Sequence, residues 1–342
     1  MAAGRNPYYS GPKSAHFDGQ RFYNPEGAGP KGLRDLLRWQ LTEKRARWPR
    51  QLANGEPPPA PLPRIAADDL RVTMIGHATL LIQTAGLNIL TDPVWSDRVS
   101  PLSFLGPTRR RLPGIAFNKL PPIDLVLLTH NHYDHLDLNT LARLKAKHDP
   151  QVITPLGNET IIAAKVPDMR VATGDWDDTV HCGPLTVHFE PCHHWSARGI
   201  RDRSMALWSA FTLETATRRV FHVGDTGFDN GRPYQRARAK HERFDLAILP
   251  IGAFEPRWFM RDQHQNPEEA LAGLKILGCP FALGHHWGTF QLTSEAVNEP
   301  VERLEKALSS DSRGSVAAAM QRQFRTLLPG EAWDVPLSSG RD

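Results

Sequence analysis

Short apolar runs recur along this chain, and most of them break at turns built from Gly, Pro, Asp or His. Val72, Met74 and Ile75 lead to Leu80, Leu81 and Ile82, and Ala85-Gly86 breaks the pattern. Residues 70–92 therefore read as short strands joined by a turn. The run from Ile123 to Leu128 reads as a buried strand, and residues 138–147 as a helix with Asp137 or Asn139 near its cap. Further strands are expected at 185–190, 220–223 and 280–283, with a strand group over 205–223. A helix opened by Pro-Glu-Glu is expected from Pro267 to Leu277. Strands alternating with helices predict an α/β fold.

The first part of the chain reads differently. Residues 1–30 are rich in Gly, Pro and Tyr and look irregular. Residues 31–50 combine Leu33, Leu36, Leu37 and Leu41 with Lys31, Arg34, Arg38, Lys44, Arg45, Arg47 and Arg50, the pattern of a basic amphipathic helix. Such a helix either rests on anionic lipid or packs its leucines on the domain and shows its arginines to water. The Pro-rich segment 57–63 predicts a stiff linker. The expected division is an N-terminal extension over 1–69 and one large domain over 70–342.

With 342 residues and 40% apolar content, the chain can bury a sizeable core. A net charge of +4 does not call for a nucleic-acid partner. Three cysteines, Cys182, Cys192 and Cys279, show no C-x-x-C spacing and no disulfide framework, which fits a reducing compartment. The N-terminus lacks the apolar core of a signal peptide, and no run is long enough to span a bilayer. A cytoplasmic protein is expected, with peripheral membrane contact left open.

Candidate chemistry concentrates at residues 129–137, Thr-His-Asn-His-Tyr-Asp-His-Leu-Asp, on the expected strand-to-helix turn. Imidazole and carboxylate are the ligands that a borderline metal such as zinc accepts. Crowding His130, His132, Asp134 and His135 without a counter-charge would be costly in any other role. Three later strand ends carry similar groups: His193-His194-Trp195, Gly224-Asp225-Thr226-Gly227 and His285-His286-Trp287. No Ser or Cys triad is evident.

The H-x-H-x-D-H pattern at 130–135 resembles the metallo-β-lactamase superfamily. More specific likeness comes from Thr91-Asp92-Pro93-Val94-Trp95, Leu120-Pro121-Pro122-Ile123-Asp124, Arg257-Trp258-Phe259-Met260, Gln263-His264 and His286-Trp287-Gly288-Thr289-Phe290. These resemble the branch of N-acylphosphatidylethanolamine-hydrolysing phospholipase D.

The resemblance implies a four-layer αβ/βα sandwich with the metals at one edge of two sheets. It implies two zinc ions, with other divalent transition metals left open. His130, His132 and His194 would hold one ion, and Asp134, His135 and His286 the other, with Asp225 shared. His194 and His286 are chosen over His193 and His285 because each precedes Trp. Hydroxide would attack phosphorus, releasing N-acylethanolamine and phosphatidic acid. The alternative is a metal-dependent lactonase or another hydrolase of a soluble metabolite.

His264 would orient a phosphate oxygen, protonate the leaving alkoxide, or serve as a structural histidine. Asp92 and His77 would sit behind the ligands and fix their orientation. Trp258 and Phe259 would line an acyl groove. Arg109 and Arg110, beside the apolar stretch 112–117, would meet phospholipid or form a solvated turn. Phospholipid is the expected partner; oligomeric state is open.

Overall fold

Strand pairing divides the chain into two similar halves. The computed structural model describes residues 5–54, 59–102, 104–312 and 323–337. The first half supplies β1 (Leu70–Gly76), β2 (Thr79–Thr84), β3 (Leu87–Thr91), β4 (Leu125–Leu127), β5 (Gln151–Pro155) and β6 (Arg170–Gly174). The second supplies β7 (Thr179–Cys182), β8 (Leu185–Glu190), β9 (Ala210–Glu214), β10 (Arg219–His222), β11 (Leu246–Pro250), β12 (Phe281–His285) and β13 (Gln323–Thr326). A last strand, β14 (Ala332–Asp334), returns to pair with β1. The result is two seven-stranded sheets, ordered β14-β1-β2-β3-β4-β5-β6 and β13-β12-β11-β10-β9-β8-β7. In each sheet an antiparallel part gives way to a parallel part, at β3/β4 and at β10/β11.

The strands read as continuous apolar runs because both of their faces are covered. Leu125 and Leu127 of β4 point into the core between the sheets, while Val126 and Leu128 point to a second core outside the first sheet. In β10, Val220 faces the core between the sheets and Phe221 the outer core of the second sheet. Helices α2 (Leu138–His148) and α3 (Asn158–Ala163) contribute Leu141, Leu144 and Ile162 to the first outer core. Helices α4 (Arg232–His241), α6 (Pro267–Leu277) and α7 (Glu299–Ser312) contribute Tyr234, Leu274 and Leu304 to the second. The short α5 (Arg257–Met260) precedes α6. This is the expected αβ/βα sandwich.

Both helices read most clearly in the sequence have strong end signals. Asp137 caps α2 by accepting from the backbone N–H groups of Asn139 and Thr140. Asn266 caps α6, Glu269 closes a capping box, and Gly278 ends the helix with φ near 68°.

The stretch before residue 70 packs on the domain through buried aromatics. Phe17 and Phe22 are buried in the second outer core, so their apolar surface anchors the N-terminus to the domain. The basic helix α1 spans Leu33–Thr42, shorter than the 31–50 pattern. It docks through Trp39, whose indole N–H donates to Ser294 Oγ at 2.9 Å and whose ring lies 4.9 Å from Phe259. Leu33, Leu37 and Leu41 stay largely open to solvent at 70%, 61% and 84% exposure, and Leu36 is the least exposed of the α1 leucines at 37%. Part of the expected Pro-rich linker, Pro57 and Pro58, lies outside the described residues.

Asp137 also accepts from the backbone N–H groups of Trp95 and Ser96. It therefore ties the start of α2 to the segment after β3. Asp137→Ala should destabilise the protein by about 1–2 kcal/mol, the ordinary cost of a lost cap, read as a lower denaturation midpoint at unchanged slope. A change below ~0.5 kcal/mol would remove this anchoring role.

Candidate metal centre

Turns that follow β4, β8, β10 and β12 bring His130, His132, Asp134, His135, His194, Asp225 and His286 together at one edge of the sandwich. His130 Nε2 lies 2.9 Å from His132 Nδ1, which lies 3.3 Å from His194 Nε2. Asp134 Oδ2 lies 3.2 Å from His286 Nε2 and 3.6 Å from His135 Nε2. Asp225 stands between these two groups. Its Oδ2 is 3.2 Å from the Nε2 atoms of both His135 and His286, 3.8 Å from that of His194 and 4.0 Å from that of His130. Each group offers donor atoms close enough to share one metal ion.

Groups behind the cluster set which ring nitrogen faces inward. Asp92, at the end of β3, accepts from the Thr129 N–H, the Thr129 hydroxyl and His135 Nδ1, each at 2.8 Å. His135 Nε2 is thereby turned to the centre. Because the Thr129 hydroxyl gives its proton to Asp92, it accepts from His130 Nδ1 at 3.0 Å. His194 Nδ1 donates to the Gln263 carbonyl at 3.0 Å. His77 Nε2 donates to Asp134 Oδ2 at 3.0 Å and is also close enough to join the group of Asp134, His135 and His286. The roles of Thr129 and of the Gln263 carbonyl were not readable from the sequence, since a Thr side chain is not a usual ligand and a main-chain carbonyl carries no residue signal.

The backbone at this edge is held in rare conformations. His77, Asp92 and His286 have φ of 58°, 37° and 62°, a left-handed region that costs a non-glycine residue roughly 1 kcal/mol or more. Gly224, at φ 65°, lets the Asp225 turn approach the first sheet. A Cβ there would lie 2.7 Å from Thr129 Cγ2.

Burial raises the cost of charge throughout the cluster. It leads in holding His130 and His194 well below the usual imidazole range, and in lowering His132 and His264 to about 4. Burial also acts to raise Asp134 and Asp225, but the imidazoles facing them outweigh it and keep both well below the usual carboxylate range. The balancing charge falls on His135 and His286. Burial opposes it, yet Asp225 and its neighbouring carboxylates raise His135 well above its ordinary value and His286 to about 9. These two carboxylates demand positive charge at the place where a divalent cation would supply it.

The remaining candidates separate into two sets. His264 is 8% exposed and borders the cluster, with Nδ1 lacking a hydrogen-bond partner and lying 3.9 Å from Asp225 Oδ2. Phe259 lines a cavity of about 360 Å³ that opens on His132, Asp134, Asp225 and His264. Leu33, Leu36 and Trp39 of α1, with Met260 and Leu292, complete apolar walls that the sequence did not assign to the site.

Trp258 is turned aside. Its indole N–H donates to Glu43 and its ring stacks under Arg38. Arg109 and Arg110 do not line the cavity either. Arg109 donates to the Val94 carbonyl at 2.8 Å and lies 4.8 Å from the Phe290 ring, and burial lowers its guanidinium to about 10. Arg110 faces the Arg50 carbonyl and Arg111 donates to that of Ala53. Arg110 and Arg111 thereby tie residues 50–53 to the domain, with the Leu52 N–H donating back to the Arg110 carbonyl. His193 and His285 point away from the cluster, His193 to the Ala28 carbonyl and His285 towards His222.

Comparison with known proteins agrees with this geometry. The family described as the β-lactamase superfamily domain matches residues 87–287. The chain is 36% identical to N-acyl-phosphatidylethanolamine-hydrolyzing phospholipase D 1 of Caenorhabditis elegans, over 80% of each chain. It is 34% identical to the mitochondrial N-acyl-phosphatidylethanolamine-hydrolyzing phospholipase D of Saccharomyces cerevisiae, over 68% of this chain and 50% of that one. Igni18, a metallo hydrolase of Ignicoccus hospitalis, shares the fold with a TM-score of 0.55 at 20% identity, over 78% of this chain and 98% of that one. On its sheet topology, its clustered histidines and aspartates and these relatives, the chain belongs to the metallo-β-lactamase superfamily of metal-dependent hydrolases, in the branch that resembles N-acylphosphatidylethanolamine-hydrolysing phospholipase D.

Proposed function

We propose that the protein is a dizinc phosphodiesterase of the phospholipase D type, acting on N-acylphosphatidylethanolamine and releasing N-acylethanolamine and phosphatidic acid. The observation that carries this reading is the apolar cavity opening on the Asp225 cluster. Walls of Leu33, Leu36, Phe259 and Met260 suit an acyl chain, whose burial is favourable by about 25 cal/mol per Å² of apolar surface. They offer few hydrogen-bond partners to a small polar metabolite such as a lactone. The C. elegans relative, named for hydrolysis of this lipid, supports the same chemistry.

The donor set fits two borderline divalent cations. His135 Nε2 and Asp225 Oδ1 are buried without a hydrogen-bond partner, an arrangement that is unfavourable unless another group meets them. His130, His132 and His194 would hold one cation, and Asp134, His135 and His286 the other, with Asp225 serving both. Bound there, the pair supplies Lewis-acid stabilisation of charge on the phosphoryl oxygens and a water-derived nucleophile at neutral pH. Asp92, His77 and the Gln263 carbonyl keep the donor atoms aimed inward. His264 faces the cavity and would hold a phosphoryl or leaving oxygen through a ring N–H. Lys31 and Arg203 border the cavity and favour an anionic diester.

The cavity mouth also suits a lipid surface. Leu33, Leu37 and Leu41 of α1 are 70%, 61% and 84% exposed and lie four residues apart, so they share one helix face. Phe104 and Leu105 are also exposed, in the loop after the cavity-lining Val99. These groups would enter the interface while Arg34 and Arg38 meet anionic headgroups. No helix among the described residues is long and apolar enough to cross a membrane.

Asp225→Asn should lower hydrolysis by at least ~100-fold with the fold intact by circular dichroism, because a neutral amide bridges two cations poorly. Activity within ~10-fold of wild type would remove Asp225 from the centre. Leu36→Glu should raise KM for the long-chain lipid while leaving turnover of a small soluble phosphodiester within about 2-fold. Equal losses on both substrates would take the cavity out of acyl binding. On a panel of lipid, soluble diester and lactone, the metal-replete protein should turn over the lipid fastest. Rapid lactone hydrolysis with no lipid turnover would reassign the substrate.

A further inference from the structure

A second cluster of metal-ligating side chains lies on the outer face of the second sheet, away from the strand ends that carry Asp225. Side chains alternate along a strand, so His188 and Glu190 share the outer face of β8. The register pairs Thr186 with Glu214 and His188 with Thr212, which puts Glu214 and Thr212 on the same face of β9. His241, the last residue of α4, packs down on them, its ring 4.8 Å from that of His188. The donor atoms of His188, Glu214 and His241 lie within 4.8 Å of one another.

We propose that His188, Glu214 and His241 form a structural site for a borderline divalent cation such as zinc, clamping the end of α4 to β8 and β9. Two imidazoles with one carboxylate select zinc, nickel or cobalt over magnesium or calcium, which prefer all-oxygen sites. His188 Nε2 already faces Glu214 Oε2 at 3.0 Å.

Glu190, almost wholly buried, receives His241 and Lys240, and Arg219 pairs with Glu214. These contacts orient the donors from behind. An independent sign is Thr212. Its hydroxyl is fully buried, has no hydrogen-bond partner and stands opposite His188 on the same face. Such an orphan is satisfied by a ligand or by its water.

The site has a structural consequence for the Asp225 edge. Asp225 is followed by the turn that leads directly into α4. A cation at the far end of that helix would hold the element whose near end follows the centre. The prediction does not depend on the assignments around Asp225, because it is read as a difference between two proteins that share that centre.

The test is metal content after equilibration with Zn²⁺ and removal of free ion. It compares wild type with His188→Ala/His241→Ala and with the conservative His188→Gln. Wild type should carry about one equivalent more than either variant. Added Zn²⁺ should also raise the wild-type Tm further than that of the double variant, following the linkage of ligand binding to stability. Folding of each variant is checked by circular dichroism. If the double variant does not fold, His188→Gln and the wild-type Zn²⁺ titration carry the test. Equal metal content in wild type and a folded variant, or equal Tm shifts, would mean a hydrogen-bonded ion-pair network only and would overturn the site.

Discussion

The Asp225 carboxylate is the point on which the rest of the site depends. It is almost fully buried, one of its oxygens has no hydrogen-bond partner, and the other is approached by imidazoles from both sheets. A carboxylate in that position is tolerated only with positive charge beside it. That requirement explains why residues far apart in the chain converge. His130 and His135 come from the turn after β4, His194 from the turn after β8 and His286 from the turn after β12. It also explains the rigid support behind them. Asp92 holds both Thr129 and His135, so a single side chain aligns the motif loop with the centre.

The rare backbone conformations belong to the same constraint. His77, Asp92 and His286 stay in the left-handed region because hydrogen bonds and packing over-determine them. The His77 N–H is taken up by the Thr289 hydroxyl, and the His77 carbonyl accepts from the His286 N–H. These bonds cross between the two sheets. The edge that carries the chemistry is therefore also the seam that joins the halves.

The sequence exposed some of this clearly and hid the rest for identifiable reasons. Strands such as β4 and β8, and the helices α2 and α6, were legible because apolar periodicity and capping residues point the same way at each. The residues that meet at the centre were legible because each sits at the end of such a strand. The cavity was not legible, since its walls join Leu33 and Trp39 to Phe259 and Leu292 across the length of the chain. The basic run at 109–111 was hard to place because charge suggests solvent, whereas Arg109 donates to the buried Val94 carbonyl and Arg111 to that of Ala53. The anchoring of the N-terminal stretch was not legible because Tyr9, Phe17 and Phe22, which meet in space, are spread along a Gly- and Pro-rich segment with no strand or helix period.

The central claim is a pair of cations sharing Asp225. Anomalous scattering from crystals of metal-replete protein tests it most directly. The account predicts two peaks about 3.5–4 Å apart, one among His130, His132 and His194 and one among Asp134, His135 and His286, with the Asp225 carboxylate touching both. A single peak, or two peaks of which only one contacts Asp225, would contradict it.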